Sequence, residues 1–531
     1  MKITKSLVGR ISIFVILFAI IIVPLVRMLF YIDGAALKSV FTSDGFYTAL
    51  LNSITSTLVA TVISLVVAYA LAWSIHRTNM RFKAILSIVL VFPMLIPSIS
   101  HGMGLVILFG NNGIITRLFD ASSSIYGFGG VVLGSVIYSF PVAFLMISDI
   151  LKYEDYSPYE AANVLGISKP RQFGAITLPY LRKPLISVIF ATFTMIVTDY
   201  GVPLSVGGQF KTLPVILYEE AVGQLNYSVG SVIGLVLLVP AVGAFLFDLL
   251  NQDKGNSAYV TKPFRLEENK KRDIIGYVVC TIVVLFTLLV LVSFCVQAFA
   301  KRYPSDMSFT FDNFAKTFKR DGGSFLLNSM LMALLTSAVG TAFAFITAYF
   351  TARMKTKTSR FLHLMSIVSL AVPGLVLGLS YVIIFKSTFV YGTLVILIMV
   401  NVVHFFASPY LMMYNALGKM NENLESVGHI LGVNRLRIIK DVIIPQSKYT
   451  LLEMFSYFFV NSMMTISAVS FLATPDNKPL ALLINQFETY NMMECAAVVA
   501  ILIFAVNVTV KGIVGAIKKH GEKKDVKSKT V

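Results

Sequence analysis

Two polar, basic stretches of this 531-residue chain carry one residue pattern twice, at 160–179 and 426–445. In each stretch a glycine (Gly166 or Gly432) is followed by a proline thirteen residues later. A glycine can end a short helix in the left-handed conformation, and small residues before it allow another protein to approach the backbone closely. The chemistry that these residues favour is therefore docking and transmission of force, not bond making.

Residue types that usually perform bond chemistry are not spaced for it. The six histidines are scattered without an H-E-x-x-H pattern, and Cys280, Cys295 and Cys495 lie in or beside apolar runs without C-x-x-C spacing. The phosphate-binding sequence G-x-x-x-x-G-K-[ST] does not occur. We expect no catalytic residue, metal site or cofactor in this chain, so any energy from ATP must come from a partner.

Three polar residues fall within or near apolar runs and are predicted to line a pathway. They are His101, His404 and, near the outer end of its run, Asp199. Polar groups inside a bilayer are costly and often functional. The alternatives are hydrogen bonding between helices for the two histidines and helix capping for the carboxylate.

The elements that must position these residues are membrane helices. The chain is 56% hydrophobic and 13% charged, with a mean hydropathy of +0.79, whereas soluble proteins have about 25% charged residues. Crossing the hydrocarbon takes about 20 residues, and continuous apolar runs favour helices over a barrel. Twelve runs are long enough, near 11–30, 53–75, 84–109, 130–150, 184–203, 229–250, 274–299, 326–350, 361–386, 392–416, 449–473 and 495–516.

The charge pattern predicts the orientation. The net charge is +17, and the basic residues concentrate in short loops and a Lys-rich tail, which is untypical of a nucleic-acid-binding domain. Placing both termini in the cytoplasm puts most Lys and Arg inside, as expected for a multi-pass plasma-membrane protein of a prokaryote. The first run resembles a signal peptide but is long and lacks an A-x-A cleavage site, so we interpret it as a retained helix.

A second repeat, offset by 276 residues, divides the chain into two halves. Leu-Asn-Ser occurs at 51–53 and 327–329, and Arg77 and Pro97 match Arg353 and Pro373. The sequence therefore predicts an all-α membrane protein with twelve transmembrane helices in two homologous six-helix halves of parallel topology. The boundaries are 1–250 for the first half, 251–273 for a cytoplasmic linker, 274–516 for the second half and 517–531 for a basic cytoplasmic tail.

Each repeated motif predicts two short helices around a glycine turn. The motifs lie in a first loop, 156–182, and a second loop, 420–448. In the first loop Gly166 should be left-handed, a second helix should begin near Ser168 with Pro170 in its first turn, and Pro179 should break it before the next membrane helix. Prolines should also kink the third and ninth runs, at Pro93, Pro97 and Pro373.

The first motif resembles the signature of the permease component of binding-protein-dependent ABC importers. That signature is E-A-A, three residues, Gly, nine residues and I-x-L-P, and it is matched by Glu160, Ala161, Ala162, Gly166, Ile176, Leu178 and Pro179. The resemblance implies a loop that docks in a cleft of an ATP-binding subunit. In the second motif Ser426, Val427 and Gly428 replace E-A-A, with Glu425 displaced by one residue, while Gly432 and Pro445 remain. The residues expected to couple to the ATPase are Glu160, Ala161, Ala162, Gly166, Pro179, Glu425, Ser426, Gly432 and Pro445.

The resemblance also implies partners and cargo. A dimer of ATP-binding subunits would bind ATP and Mg at the cytoplasmic face, and an extracytoplasmic solute-binding protein would deliver the solute. Two fused halves resemble permeases for ferric iron, thiamine or phosphonates. The segments at 198–208 and 221–227 resemble ferric-iron and 2-aminoethylphosphonate permeases, and of these two we favour the phosphonate group. The rival interpretations are an ion-coupled secondary transporter with two six-helix repeats, which would need acidic groups at the midplane, and a membrane enzyme.

Overall fold

The computed structural model describes residues 5–119, 125–251, 262, 264, 266, 268–354 and 356–529, and side chains at 7–119 and onward to 521 within those ranges. Its secondary structure there is helical except for one antiparallel pair of strands, β1 (Ala300–Arg302) and β2 (Asp306–Phe309). The all-α prediction is thus confirmed in outline. Most of the predicted linker and the side chains at the end of the predicted tail lie outside the described residues.

The helices up to the predicted linker follow in chain order. They are α1 (Lys5–Leu17), α2 (Val23–Leu29), α3 (Gly34–Phe41), α4 (Asp44–Arg77), α5 (Lys83–Val89), α6 (Ser98–Phe109), α7 (Ile114–Leu118), α8 (Phe128–Lys152), α9 (Ser157–Val164), α10 (Lys169–Gln172), α11 (Leu178–Val197), α12 (Gly201–Val206), α13 (Leu213–Tyr218) and α14 (Tyr227–Asn251). Four π-helical or 3-10 segments join some of them, at Phe18–Ile22, Phe92–Leu95, Phe173–Thr177 and Glu219–Gly223.

The remaining helices repeat much of this order. They are α15 (Lys270–Phe299), α16 (Asp312–Thr317), α17 (Gly323–Ala352), α18 (Lys357–Ile367), α19 (Gly374–Phe385), α20 (Leu394–Phe405), α21 (Ala407–Gly418), α22 (Leu424–Ile430), α23 (Arg435–Ile438), α24 (Ile444–Gln446), α25 (Lys448–Met464), α26 (Leu482–Thr489) and α27 (Met493–Lys529). Further π-helical or 3-10 segments lie at Phe318–Gly322, Val368–Ala371 and Ile439–Ile443.

Fewer helices than expected are long enough to cross a membrane. Among the described residues, eight helices have the necessary length and hydropathy, and the number rises to ten if two bent pairs each count as one span. Twelve spans are therefore not established. The difference lies in two predicted runs: 84–109 is divided among α5, a 3-10 turn and α6, and 449–473 contains α25, which ends at Met464 after 17 residues.

The predicted proline breaks are present in both halves. A 3-10 turn precedes Pro97, which has the extended ψ of 150° and begins α6. The equivalent Pro373 follows another 3-10 turn, has a ψ of 139° and begins α19. The chain bends by 104° between the helices on either side of Pro373. Because proline supplies no backbone N–H and disfavours helix in the residue before it, each half acquires the same interruption.

The chain forms two compact units that do not follow the sequence halves. One unit comprises 1–40, 217–238 and 311–531, and the other comprises 41–216 and 239–310. In the first unit α1 packs against α17 and α18, and α2 packs against α19. In the second unit α15 packs against α4 and α6. The predicted halves, 1–250 and 274–516, describe the repeat in the sequence, whereas each compact unit contains the first long helix of the other half.

The repeated Leu-Asn-Ser sequence performs the same structural role in each unit. Ser53 Oγ accepts a hydrogen bond from the backbone N–H of Leu213 at 2.7 Å, and Asn52 donates to the carbonyl of Lys211 at 3.0 Å. Ser329 Oγ accepts from the N–H of Leu480 at 2.6 Å, and Asn328 donates to the carbonyl of Asp476 at 3.0 Å. The motif thus fixes the segment before α13 or α26 to the long helix α4 or α17.

Candidate functional site

The first loop contains the glycine turn that its sequence predicts. Helix α9 ends at Val164, Leu165 is its C-cap residue, and Gly166 has a φ of +68°. The N–H of Gly166 donates to the carbonyl of Asn163 at 3.1 Å, and the N–H of Ile167 donates to that of Ala162 at 2.9 Å. This pair of bonds is the Schellman arrangement, in which a left-handed residue satisfies the last carbonyls of a helix.

The second loop repeats this turn atom for atom. Gly432 also has a φ of +68°. Its N–H donates to the backbone carbonyl of His429 at 3.1 Å, and the N–H of Val433 donates to the backbone carbonyl of Gly428 at 2.8 Å. The departure from E-A-A in this copy therefore leaves the backbone of the turn unchanged.

The predicted break at Pro179 is wrong. The chain stays helical from Lys169 through Pro179 to Val197, because a π-helical segment at Phe173–Thr177 precedes the proline and Pro179 occupies the first turn of α11. A first-turn residue needs no N–H for the helix. In the second copy Pro445 likewise lies in the first turn of α24, but Ser447 then leaves helical geometry, with φ −100° and ψ 9°.

The two loops expose apolar side chains beside their glycine turns. Val164 is 88% exposed and Leu165 75%; their equivalents Ile430 and Leu431 are 83% and 71% exposed. Of the signature residues, Ala161, Gly166, Pro179, Ser426, Gly432 and Pro445 are exposed, Glu160 is half-buried, and Ala162 is buried. An isolated exposed apolar residue is unremarkable, but two adjacent ones recurring at equivalent positions indicate a contact surface.

An arginine at the end of a long helix anchors the first loop. The Arg77 guanidinium, at the end of α4, forms a buried ion pair with Glu154 and donates to the carbonyl of Leu151 at 3.1 Å. Tyr159, in α9, donates to Glu154 at 2.5 Å and lies 2.5 Å from the hydroxyl of Thr177. Burial, and then the hydrogen bond to Glu154, raise the pKa of Tyr159 above its ordinary value, so this phenol stays protonated.

The equivalent arginine anchors the second loop through a different acid. Arg353 holds Glu425 with two bonds, Nε to Oε1 at 2.9 Å and Nη2 to Oε2 at 2.6 Å. It also donates to the carbonyls of Leu417, Met420 and Asn421. Burial acts to raise the pKa of Glu425, but the hydrogen bond and charge of Arg353, with the charge of Arg435, outweigh it and lower that pKa.

The acids of the two loops therefore differ in position and surroundings. Glu425 is equivalent to Tyr159 and faces its own arginine, with 13% of its side chain exposed. Glu160 is 36% exposed and pairs with Lys262 at 2.5 Å. The second loop has Ser426 where the first has Glu160, so an accessible carboxylate at this position belongs to the first loop.

The structure places the three predicted pathway residues apart from these loops. His101 is fully buried in α6, with its ring 5.8 Å from that of Tyr138. Asp199 accepts a hydrogen bond from the N–H of Val202 at 3.0 Å. It thus caps α12, as the alternative interpretation expected, and it also lines a small polar cavity.

His404 lies in α20, in the other compact unit from His101 and Asp199. A Cβ on Gly374 would come within 2.9 Å of His404 Nε2 and 2.2 Å of Ser467 Oγ. The absence of a side chain at Gly374, at the start of α19, therefore lets His404 and Ser467 lie close to the helix backbone. Groups of three or more His, Cys, Asp or Glu able to hold a metal do not occur within the described ranges.

Several residues of the loops escape sequence reasoning. The match of Arg77 with Arg353 is visible, but their partners Glu154 and Glu425 are not in register, so the repeat does not reveal the ion pairs. Lys262 and Phe264 contact the first loop from a linker interpreted as a simple connection. The exposed apolar pairs leave a signal, since two aliphatic residues precede the glycine in both copies.

Comparison with curated proteins gives a consistent set of relatives. The chain is 26% identical over 418 residues to the ferric transport system permease protein FbpB of Actinobacillus pleuropneumoniae, covering 75% of this chain and 61% of that protein. It is 25% identical over 407 residues to the putative ferric transport system permease protein FbpB 1 of Haemophilus influenzae, covering 73% and 64%. The chain thus spans under two thirds of the length of these two relatives.

A shorter match is to a permease named for a different transported element. The molybdenum transport system permease protein ModB of Haemophilus influenzae is 28% identical over 155 residues, which are 28% of this chain and 68% of that protein. The family model for the inner membrane component of binding-protein-dependent transport systems matches residues 64–305 and again 324–520. These two matches cover most of the chain, each contains one of the loops, and they show that it belongs to the family of binding-protein-dependent transport system inner membrane components, with two family domains in one polypeptide.

Proposed function

We propose that this chain is the membrane-spanning permease of an ABC importer, in which the first and second loops dock on a dimer of ATP-binding subunits. The observation that carries the proposal is the duplicated loop. Each copy presents two exposed aliphatic residues beside a rigid glycine turn, at Val164–Leu165 and Ile430–Leu431. Exposed apolar patches mark interaction sites, because burying their surface against a partner is favourable.

The anchoring of the loops supplies the mechanical link. Arg77 and Arg353 lie at the ends of the long helices α4 and α17. Arg353 pairs with Glu425 of the second loop, and Arg77 pairs with Glu154, just before the first loop, to which Tyr159 of that loop is hydrogen-bonded. Closure of the ATPase dimer around ATP and Mg would therefore move a membrane helix together with each loop. The two halves would alternate between outward-open and inward-open arrangements by rigid-body motion.

The unequal acids support unequal coupling by the two loops. Glu160 is accessible to a docking ATPase, whereas Glu425 is occupied by Arg353. We expect Glu160→Lys to weaken the ATPase contact directly and Glu425→Lys to act by disrupting the second loop. Transport rates of these two variants, measured with ATPase binding to each, test the asymmetry; equal losses of both quantities would reject it.

The cargo we propose is a small solute delivered by an extracytoplasmic binding protein, with ferric iron as the first candidate. Two relatives that match about three quarters of the chain are named as ferric permeases. The external segments at 198–208 and 221–227 leave a phosphonate such as 2-aminoethylphosphonate as the second candidate. Shorter matches are to permeases named for sulfate transport and for molybdenum transport.

The test of the proposed function is reconstituted uptake. The purified chain, the partner ATPase and the binding protein are placed in proteoliposomes, and solute accumulation is measured with ATP inside, without ATP, and with an imposed proton or sodium gradient. We expect uptake with ATP and Mg alone. Uptake driven by the ion gradient without ATPase would establish the secondary transporter instead.

The cargo is decided by the binding protein. Calorimetric titration of that protein with ferric iron, 2-aminoethylphosphonate and thiamine should show tight binding to one of them, and competition in the uptake assay should show the same preference. Tight binding of 2-aminoethylphosphonate would reverse our ranking. Binding to none of the three would reject both candidate cargoes. It would not affect the proposal of ATP-driven import, which the uptake assay tests separately.

A further inference from the structure

The segment between the two halves makes a set of specific contacts with the first loop. Lys262 Nζ pairs with Glu160 Oε2 at 2.5 Å. The backbone of Lys262 forms two more bonds: its carbonyl accepts from the N–H of Tyr156 at 3.1 Å, and its N–H donates to Asp155 Oδ1 at 3.2 Å. A segment that only connects two domains needs no such pairing.

An aromatic anchor lies two residues further along. The ring of Phe264 is 4.9 Å from that of Tyr156 and 5.2 Å from that of Tyr159, at interplanar angles of 66° and 69°. The Arg77 guanidinium stands over the same ring, with Cζ 3.8 Å from its centroid. Edge-to-face aromatic pairs and a close cation–π contact are both favourable. Phe264 thus joins α9 to the arginine that ends α4.

These contacts supply in the first loop what a single side chain supplies in the second. There, Glu425 of α22 reaches Arg353 directly. Its equivalent in α9, Tyr159, reaches Arg77 only through Glu154 and through the shared contact with Phe264. The first loop therefore depends on a residue from outside its own loop to complete its link to the membrane helix.

We propose that Lys262 and Phe264 are positioning residues that brace the first loop, so that the segment joining the halves takes part in transmitting force from the ATPase to α4. The proposal rests on the proposed function of the loops. Phe264 provides the anchor, because its ring lies between α9 and Arg77. Lys262 sets the orientation of Glu160, the accessible carboxylate of the loop, through their ion pair.

The first test measures the brace without a partner. Hydrogen–deuterium exchange of residues 157–164 is compared in the purified full chain, in detergent, for wild type, Phe264→Ala and Phe264→Tyr. Loss of the ring should speed exchange of the α9 amides about tenfold, and tyrosine should restore most of the protection. The control is Lys270→Glu, an exposed linker residue, which should leave α9 unchanged. Equal exchange in Phe264→Ala and wild type would overturn the brace.

The second test asks whether the brace positions the loop for coupling. In proteoliposomes with ATPase and binding protein, Phe264→Ala should lower the number of solute molecules moved per ATP by several-fold while ATP hydrolysis without binding protein persists. Lys262→Glu should weaken coupling. Because Glu160→Lys by itself is expected to weaken the ATPase contact, the reversed pair, Lys262→Glu with Glu160→Lys, is measured in the exchange experiment, where it should restore part of the α9 protection that Lys262→Glu loses.

The outcomes separate the two proposals. Wild type that moves no solute with ATP would reject the proposed function, and the exchange experiment would still decide whether Phe264 braces α9. Wild type that couples normally, together with Phe264→Ala that exchanges faster but moves solute at the same ratio, would show a merely structural contact and overturn the positioning role. Exchange of α9 that is as fast in the reversed pair as in Lys262→Glu would remove Lys262 from the brace.

Discussion

Glu160 and Glu425 lie one position apart in the aligned motifs, but their surroundings give the two carboxylates different roles. Glu425 neutralises an arginine whose side chain is 4% exposed, so the two charges depend on one another. Glu160 and Lys262 are 36% and 52% exposed, and water screens such a pair strongly. One carboxylate is therefore part of the architecture of its loop, and the other remains available to a partner.

Removing each carboxylate should show this difference in stability. We expect Glu425→Ala to lower the free energy of unfolding by about 2–3 kcal/mol, because Arg353 keeps only its carbonyl acceptors. Glu160→Ala should cost about 0–1 kcal/mol. Thermal unfolding of the two variants in one detergent measures both. Equal shifts would contradict the buried role of Glu425. The control is Asp441→Ala, which breaks an exposed ion pair with Arg437 in the same loop.

The ion pair also predicts a pH dependence. The folded-state pKa of Glu425 is lower than that of a free glutamate, about 4.5, so the pair stabilises the fold fully above that value. Its contribution is lost as the pH falls through the lower, folded-state pKa. The difference in midpoint between wild type and Glu425→Gln should thus be constant from pH 7 to about 5 and shrink below about 4.5. A difference that grows on acidification would show the opposite sign.

The glycine turns show what a sequence can predict about an element. Local backbone rules suffice for Gly166 and Gly432, since a left-handed residue after a short helix is decided by neighbours in the chain. The same rules wrongly predict a helix break at Pro179, because they do not foresee the π-helical segment at Phe173–Thr177 that continues the helix up to this proline. They also miss the Arg353–Glu425 pair and the exchange of first helices between compact units, which depend on contacts between residues distant in sequence.

Alanine at each turn should isolate the cost of the left-handed backbone. Nothing lies within 4 Å of a Cβ built at Gly166 or Gly432, so the whole effect is conformational, about 1 kcal/mol. Asparagine should cost less than alanine. Gly174→Ala is the matched control, because that glycine is also open but lies in the π-helical segment and is not left-handed. Exchange of the amides at the ends of α9 and α22 provides the measurement; equal effects at Gly166 and Gly174 would contradict the turn.

The serines of the repeated Leu-Asn-Ser sequence should be needed for stability in both units. Ser53→Ala and Ser329→Ala each leave the N–H of a buried leucine, Leu213 or Leu480, without its acceptor. An unsatisfied buried donor costs about 1–3 kcal/mol. Thr55→Ala is the control, because Thr55 is bonded to its own helix at Leu51. If the unfolding midpoints of Ser53→Ala and Ser329→Ala equal that of the control, these two hydrogen bonds do not stabilise the fold.

At the scale of the whole molecule, the number of crossings is the question that remains to be measured. The predicted topology needs an even number, because the excess of basic residues can be cytoplasmic at both ends only in that case. Among the described residues, eight helices are long and apolar enough to cross a membrane, and the bent pairs supply up to two more candidates. The proline-interrupted region of α5 and α6, together with α25, would have to supply the rest. If both of these regions cross the membrane, or if both return to the side from which they started, the two termini lie on the same side. If only one of them crosses, the termini lie on opposite sides.

Labelling of single cysteines in intact cells decides between these cases. In a chain whose Cys280, Cys295 and Cys495 are replaced by alanine, we expect Lys5→Cys and Lys519→Cys to be protected from a membrane-impermeant thiol reagent and labelled after permeabilisation. Ser168→Cys, exposed in the first loop, should behave like them if that loop faces the ATPase. Gln209→Cys, exposed beyond α12, should be labelled in intact cells and is the positive control. Labelling of one terminus alone would require an odd number of crossings, and labelling of Ser168→Cys from outside would place the first loop where no ATPase could reach it.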